Sequence, residues 1–245
     1  MGDIKPFLRW AGSKRQLVPR LSEFWSHSYE RYVEPFAGSA CLFFHLQPSQ
    51  AILGDINQGL IRAYEQVRDN FAEVNELLRG ASGSKSNYLH VRDIPPAALS
   101  PAEQAAQFIY LNRFCFNGLY RTNLTGKFNV PYGGLKSGSL PSPEMLSACA
   151  TALKNTQLVA GDFENILKLV QPGDFVYLDP PYRVKAKRVF NSYNGASFTQ
   201  SDLKRLRGWL EIFASQGIAF LVSYIESEES SFLQSGFKTM TVNVR

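Results

Sequence analysis

The sequence has 245 residues, 44% of them hydrophobic and 19% charged, which is the balance of a soluble globular α/β chain long enough to bury its own core. No apolar run approaches the roughly 18–20 residues of a membrane span, and the N-terminus lacks the apolar stretch of a secretory signal. The formal charge of +5 is mildly basic, the scattered Cys41, Cys115 and Cys149 point to reduced thiols in the cytoplasm, and the isolated His27, His45 and His90 give no zinc spacing, so no metal is expected.

In chain order, "RYVEPFAG" reads as a short strand ending in a glycine turn, "SACLFFHL" as a helix, "AILGDI" as a second strand and "QGLIRAYEQVRDNF" as an amphipathic helix. This βαβα rhythm breaks over about 70–143. That segment opens with helical patterning in "PAEQAAQFIYLNRF", where Pro101 suits a first turn, and then becomes "NGLYRTNLTGKFNVPYGG", in which "LTGKF" reads as a hairpin tip. The rhythm resumes with "TQLVAGDF" as strand, "ENILKLV" as helix and "DFVYLD" as strand. A helix over "TQSDLKRLRGWLEIFASQG", capped by Thr199 or Ser201 and closed by Gly217, then leads to "IAFLVSY" and "FKTMTVNV" as the last strands. The architecture expected is a mostly parallel α/β sheet over 1–69 and 144–245 carrying an inserted basic lobe over 70–143.

That lobe is marked by charge. No Asp or Glu occurs between Glu103 and Glu144, while Arg113, Arg121, Lys127 and Lys136 fall inside, and a second acid-free stretch after Asp179 holds Arg183, Lys185, Lys187 and Arg188. Such segments suit a polyanion, because each phosphate contact releases counterions and a nearby carboxylate would repel the backbone. Phe114, Phe116, Tyr120, Phe128 and Tyr132 interleave the first of them, and rings can stack on or wedge between bases.

In open α/β sheets ligands bind beyond the carboxyl ends of the strands. The first strand ends at Glu34-Pro35-Phe36-Ala37-Gly38 and the second at Gly54-Asp55. Neither the dinucleotide fingerprint nor the P-loop pattern is present, so a nucleoside without a pyrophosphate fits better: Gly38 permits close backbone approach and Asp55 can accept from ribose hydroxyls. "VYLDPPY" ends a buried strand on a carboxylate, a rigid turn and an aromatic face. Asp179 and the Pro180 carbonyl can accept both hydrogens of a planar amine while Tyr182 stacks on its ring. An amine so held is drawn toward tetrahedral geometry and becomes a usable nucleophile.

"FLRWAGSK", "VEPFAGSA", "LGDIN", "YLNRFCFNGLYRTNLTGKFNVPYGG", "AGDF", "YLDPPY" and "FTQSDLKRL", in this order, resemble the DNA adenine-N6 methyltransferases of the GATC-methylating type, and the resemblance covers nearly the whole chain. It implies an S-adenosyl-L-methionine-dependent enzyme acting on double-stranded DNA, monomeric in solution. Its fold would be a seven-stranded Rossmann-like methyltransferase sheet with an inserted helical plus β-hairpin DNA-recognition domain. Carried over by position, Asp179, Pro180, Pro181 and Tyr182 match the catalytic tetrad, with Tyr182 stacking on a flipped adenine. Trp10, Lys14, Glu34, Phe36, Gly38, Asp55, Asp162, Phe163 and Asp179 would surround the cofactor, Asp162 and Phe163 at its adenine edge. On the DNA side stand Arg9, Lys14, Arg113, Phe116, Asn117, Leu119, Arg121, Lys127, Pro131 and Lys136, with Phe116 as wedge and Arg121 reading a guanine edge.

Relatives of this type continue past the last strand with a basic segment and a further helix, whereas this sequence ends at Val244-Arg245. Either the chain is shortened or the sheet closes without that tail. Transfer to cytosine N4 or to RNA, and DNA binding without turnover, stand as the alternatives. Cytosine N4 enzymes tend to carry Ser in place of Asp179, which favours adenine.

Overall fold

A computed structural model describes residues 4–123, 126–182 and 198–242. In chain order the elements are α1 (Val18–Leu21), β1 (Tyr32–Glu34), α2 (Cys41–Leu46), β2 (Ala51–Asp55), α3 (Gln58–Leu78), α4 (Lys85–Asp93), α5 (Pro101–Phe114) and α6 (Pro143–Leu153). They continue with β3 (Thr156–Ala160), α7 (Phe163–Leu167), β4 (Phe175–Leu178), α8 (Gln200–Ser215), β5 (Ala219–Val222) and α9 (Glu228–Gln234).

Among the described residues the strands form one five-stranded sheet in the order β3-β2-β1-β4-β5, every neighbouring pair parallel. Because successive strand side chains face opposite ways, the strands feed two apolar layers. Tyr32, Leu53, Phe175 and Tyr177 pack on one face with α2, α3, α5 and α6, and Val33, Ile52, Val176 and Leu178 pack on the other with α7 and α8. At the start of the central pair, the Arg31 guanidinium donates to both oxygens of the fully buried Asp174 carboxylate, at 2.9 and 2.7 Å, and to the Leu169 carbonyl at 2.9 Å. This forked, charge-assisted contact fixes β1 against β4.

The segment 70–143 shares the first of these layers. Helix α3 starts on an Asn57 cap, whose side chain accepts from the Leu60 N–H at 3.1 Å, and bends at Asn70 (φ −134°, ψ 36°) without ending. Helix α5, set by Pro101 and a reciprocal Ser100–Glu103 capping box, packs along it. Tyr88, Ile109, Leu111 and Val130 therefore belong to the same apolar core as Tyr32 and Leu53. Beyond α5, antiparallel bridges join Cys115 to Tyr132 and Thr122 to Phe128 around the expected hairpin, whose Leu124 and Thr125 lie outside the described residues.

Two expectations differ from what is observed. Residues 237–242 form no strand: Met240 and Val242 are exposed, and Phe237 packs edge-on against Phe220 with the Arg207 guanidinium over its ring. The sheet thus has five strands among the described residues where seven were expected. Arg183, Lys185, Lys187 and Arg188 lie outside the described residues.

Candidate active site

β1 and β4 are neighbours whose onward connections lead to opposite edges of the sheet, so a crevice opens between their carboxyl ends. A cavity of about 280 Å³ occupies it, near the lower end of the roughly 300–1,000 Å³ of small-molecule sites. The ends of four strands meet there: Glu34 from β1, Asp55 from β2, Asp162 after β3 and Asp179 after β4.

The β1 turn is built for close approach. Gly38 has φ +48°, and a Cβ there would stand 2.7 Å from Trp10 Cδ1, so only glycine lets the Trp10 indole lie on the turn. Gly38 N–H donates to Asp55 Oδ2 at 3.1 Å, Asn57 N–H donates to Oδ1 at 2.8 Å, and the buried Tyr64 hydroxyl donates to the Gly38 carbonyl at 2.7 Å. Each Asp55 oxygen therefore has one backbone donor and keeps a lone pair for a ligand. Burial pushes the Asp55 carboxyl up to about 6, against the pull of those two N–H groups. Glu34 is buried and accepts from the Tyr32 hydroxyl at 3.0 Å; burial drives its carboxyl upward, and the charges of Asp179 and Asp55 add to that.

On the β3 side, Asp162 caps α7 by accepting the Glu164 N–H at 3.0 Å, and Phe163 packs 5.3 Å from Phe36. Both residues also line the cavity wall.

At the end of β4, Lys14 Nζ donates to Asp179 Oδ2 at 2.8 Å and to the Gly12 carbonyl at 2.9 Å, and stands 4.9 Å from the centre of the Tyr182 ring. The same Nζ is 2.7 Å from Asp179 Oδ1, so one ammonium spans both carboxylate oxygens. Burial pushes the Asp179 carboxyl up to about 6, the Lys14 charge pulling the other way. Burial works against the Lys14 ammonium, yet Asp179 outweighs it and the net shift is upward. Tyr182 also meets Tyr224 edge-on at 5.2 Å, and Pro180 and Pro181 line the cavity beside it.

Of the residues expected on the DNA side, Arg113 lies in the last turn of α5, Phe116, Asn117 and Leu119 follow it, and Arg9 meets it there. Asn117 and Gly118 both have left-handed backbones, φ 54° and 64°, a turn that leaves the Phe116 ring exposed. Lys136 Nζ stands 5.4 Å from the centre of that ring. Arg9 is held through its backbone by Asn112, and its guanidinium donates to the carbonyl of Lys136 at 3.0 Å. Arg113 is turned inward and donates to the Ser139 carbonyl. Arg121 Nε donates to Asn129 Oδ1 at 2.7 Å across the bridged pair. Leu119 is partly buried against the core and Pro131 is exposed. Lys127 pairs with Asp93 of α4 at 3.1 Å, so an acid distant in sequence enters the basic face.

Several neighbours were not foreseen. Tyr120 stacks on Trp10 (6.1 Å, 19°) and so joins the segment around Phe116 to the cavity wall. Arg205, Glu164 and Asp202 surround Asp162. The aromatic content of "NGLYR" was visible in the sequence, but nothing there shows which ring faces which. Among the described residues no group of three or more His, Cys, Asp or Glu side chains is arranged to hold a metal ion, and no helix is long and apolar enough to cross a membrane.

Residues 10–245 match the family model of D12 class N6 adenine-specific DNA methyltransferases. The chain is similar to the Type II methyltransferase M1.LlaDCHI of Lactococcus lactis subsp. cremoris, with 36% identity over 244 residues covering 96% of this chain and 86% of that protein. It is 33% identical over 248 residues to the Type II methyltransferase M.MjaIII of Methanocaldococcus jannaschii, covering 90% of this chain and 84% of the relative. It is 30% identical over 243 residues to the retron Ec67 DNA adenine methylase of Escherichia coli, covering 97% and 82%.

Proposed function

This chain belongs to the D12 class of N6 adenine-specific DNA methyltransferases, and from that premise we propose that it methylates N6 of an adenine flipped out of duplex GATC or a related short site, with S-adenosyl-L-methionine as donor. The observation that carries the reading is Asp179 on the wall of the strand-end cavity, with both oxygens turned to the Lys14 ammonium and Tyr182 beside it. A planar amine can take that donor's place.

The cavity's residues fit the donor. Asp55, oriented by two backbone N–H groups, suits the ribose hydroxyls. Asp162 and Phe163 suit the edge and face of the adenine, while Trp10, Glu34, Phe36 and Gly38 frame the methionine side. The carboxylates of Glu34, Asp55 and Asp179 around one cavity suit a ligand that carries positive charge. When bound, the donor supplies an electrophilic methyl group on a cationic sulfur.

The protein's own part is positioning. The target amine takes the place of the Lys14 ammonium on Asp179, so that Asp179 and the Pro180 carbonyl accept its two hydrogens and Tyr182 stacks on the base. Held in that way, the nitrogen lone pair is aimed at the methyl carbon. With the donor bound, the N–C bond would form as the donor's bond from methyl to sulfur breaks, and the donor would leave as a neutral thioether. The surplus amine proton then leaves by way of Asp179 to solvent. Residues 70–143 serve as the recognition part, with the exposed Phe116 as wedge, Arg121 as base reader, and Arg9, Lys127 and Lys136 along the backbone.

The test is methyl transfer from labelled S-adenosyl-L-methionine to unmethylated duplexes that contain or lack GATC, followed by mapping of the modified base. Label on N6 of the GATC adenine supports the proposal. Label on cytosine N4, label on RNA alone, or duplex binding without transfer rejects it.

A further inference from the structure

We infer that Arg205 is a positioning residue for the cofactor site, aiming the Asp162 carboxylate at the 6-amino group of the bound nucleoside; the inference rests on the nucleoside reading of the cavity. Arg205 lies on α8 behind the cavity wall, and its guanidinium collects three carboxylates, two from the start of α7 and one from its own helix. One terminal nitrogen donates to Asp162 and to Glu164 (2.8 Å), and the other donates to Asp202 at 2.7 Å. The guanidinium carbon also stands 4.7 Å from the centre of the Phe163 ring, so the same group backs the aromatic wall. Trp209 braces the arrangement by donating to the second Glu164 oxygen at 3.2 Å.

The geometry is selective in which atom it occupies. Arg205 and the Glu164 N–H both donate to Asp162 Oδ1, one from α8 and one from the first turn of α7. Two donors on separate helices fix the plane of the carboxylate and leave Oδ2 as the acceptor for a ligand. Arg205 also offsets the mutual repulsion of the Asp162, Glu164 and Asp202 carboxylates and so holds them together. An aimed acceptor at that point favours a base that presents an N–H donor. A 6-oxo base presents a carbonyl there and is repelled.

The experiment is calorimetric titration, without DNA, of S-adenosylhomocysteine and of its 6-oxo counterpart S-inosylhomocysteine. The wild type is expected to prefer the adenosyl compound. Arg205→Ala should weaken that compound about 10-fold, in the range of one charge-assisted hydrogen bond, and leave the inosyl compound within about 2-fold. Arg205→Lys keeps the charge without the fork and should fall between. Asp162→Asn, which retains a capping side chain, should lose the discrimination to a similar extent. Equal weakening of both compounds in Arg205→Lys, or unchanged preference in both Arg205 variants, overturns the positioning role and leaves the pocket reading intact. If the wild type binds neither compound, the pocket reading itself fails and the inference falls with it.

Discussion

The Lys14 ammonium lies 2.7 Å from one oxygen of Asp179 and 2.8 Å from the other, and 4.9 Å from the centre of the Tyr182 ring, so one cation engages two of the groups assigned to the target base. A carboxylate pushed upward by burial needs such a partner to stay ionised at neutral pH. Lys14 therefore keeps Asp179 ready as an acceptor and has to move aside when the amine arrives.

Asp179→Ala is expected to lower methyl transfer by roughly 10²–10⁴-fold, the scale of a lost positioned acid–base group, while duplex binding stays within a few-fold. Near-normal turnover in that variant would remove Asp179 from the mechanism. Filter binding and single-turnover transfer on the same duplex give the two quantities.

The two upward-shifted aspartates have opposite consequences for activity and for stability. Ionised Asp179 is the stronger acceptor and can take up the surplus proton, so transfer at saturating cofactor should fall as pH drops through about 6. Lys14→Gln removes the cation that pulls this carboxyl down, so the acid limb should move to higher pH; an unmoved limb would separate Lys14 from the titration.

For stability the sign is reversed. A carboxyl whose folded pKa stands above its unfolded value contributes most below the unfolded value and loses that contribution as pH rises through the folded one. For Asp55 the window runs from the ordinary aspartate value of 3.8 to about 6. Asp55→Asn, whose amide can accept only one of the two N–H groups, should melt below wild type near pH 4, and that deficit should shrink as pH rises through about 6. A constant offset across this range would mean that the Asp55 charge is not the cause.

Asp55→Ala leaves the Gly38 and Asn57 N–H groups without their acceptor and takes away the proposed ribose partner. Cofactor binding should weaken by about 1.5–3 kcal/mol, the value of a charge-assisted hydrogen bond, by calorimetry without DNA. Unchanged affinity would leave Asp55 with only its turn-forming role.

Arg121 and Lys136 should separate by sequence dependence. Arg121 is aimed by Asn129 across the bridged pair, and a base-reading arginine discriminates by about 1–3 kcal/mol, so Arg121→Ala should flatten the preference between GATC and sites altered at one base pair. Lys136→Ala should weaken all duplexes alike and lower the salt slope by about one. Uniform weakening by Arg121→Ala would reassign it to the backbone.

The strands of the sheet were readable, though not their order, because each is a short apolar run ended by glycine, acid or proline. β1, β2, β3, β4 and β5 all fall within the stretches expected. Strand-end residues were readable for the same reason, since the carboxyl edge of such a sheet is where Glu34, Asp55 and Asp179 must emerge. Features that depend on chain crossing were not. Lys127 sits in an acid-free stretch, yet Asp93 reaches it from α4. The Arg205 cluster draws its carboxylates from either side of β4. Helix α9 was missed because its Ser/Glu-rich sequence has little apolar periodicity and is set by a Ser227–Ser230 capping box. "FKTMTVNV" has strand-like composition, but Phe237 is taken up by Phe220 and Arg207 instead of a sheet edge.

The bend of α3 at Asn70 lies inside a helix whose buried side chains on both sides, among them Tyr64, Val67, Val74 and Leu78, fill one apolar layer. A crossover that exchanged residues 70–143 between two such proteins would cut that helix and mismatch its packing against α5 and α6, at a cost of several core substitutions at once. On the recognition role proposed for the turns around Phe116, Arg121 and Lys136, point changes there should reach new target sequences more readily than recombination of whole modules. Libraries confined to those turns should yield soluble variants far more often than chimeras joined at Asn70.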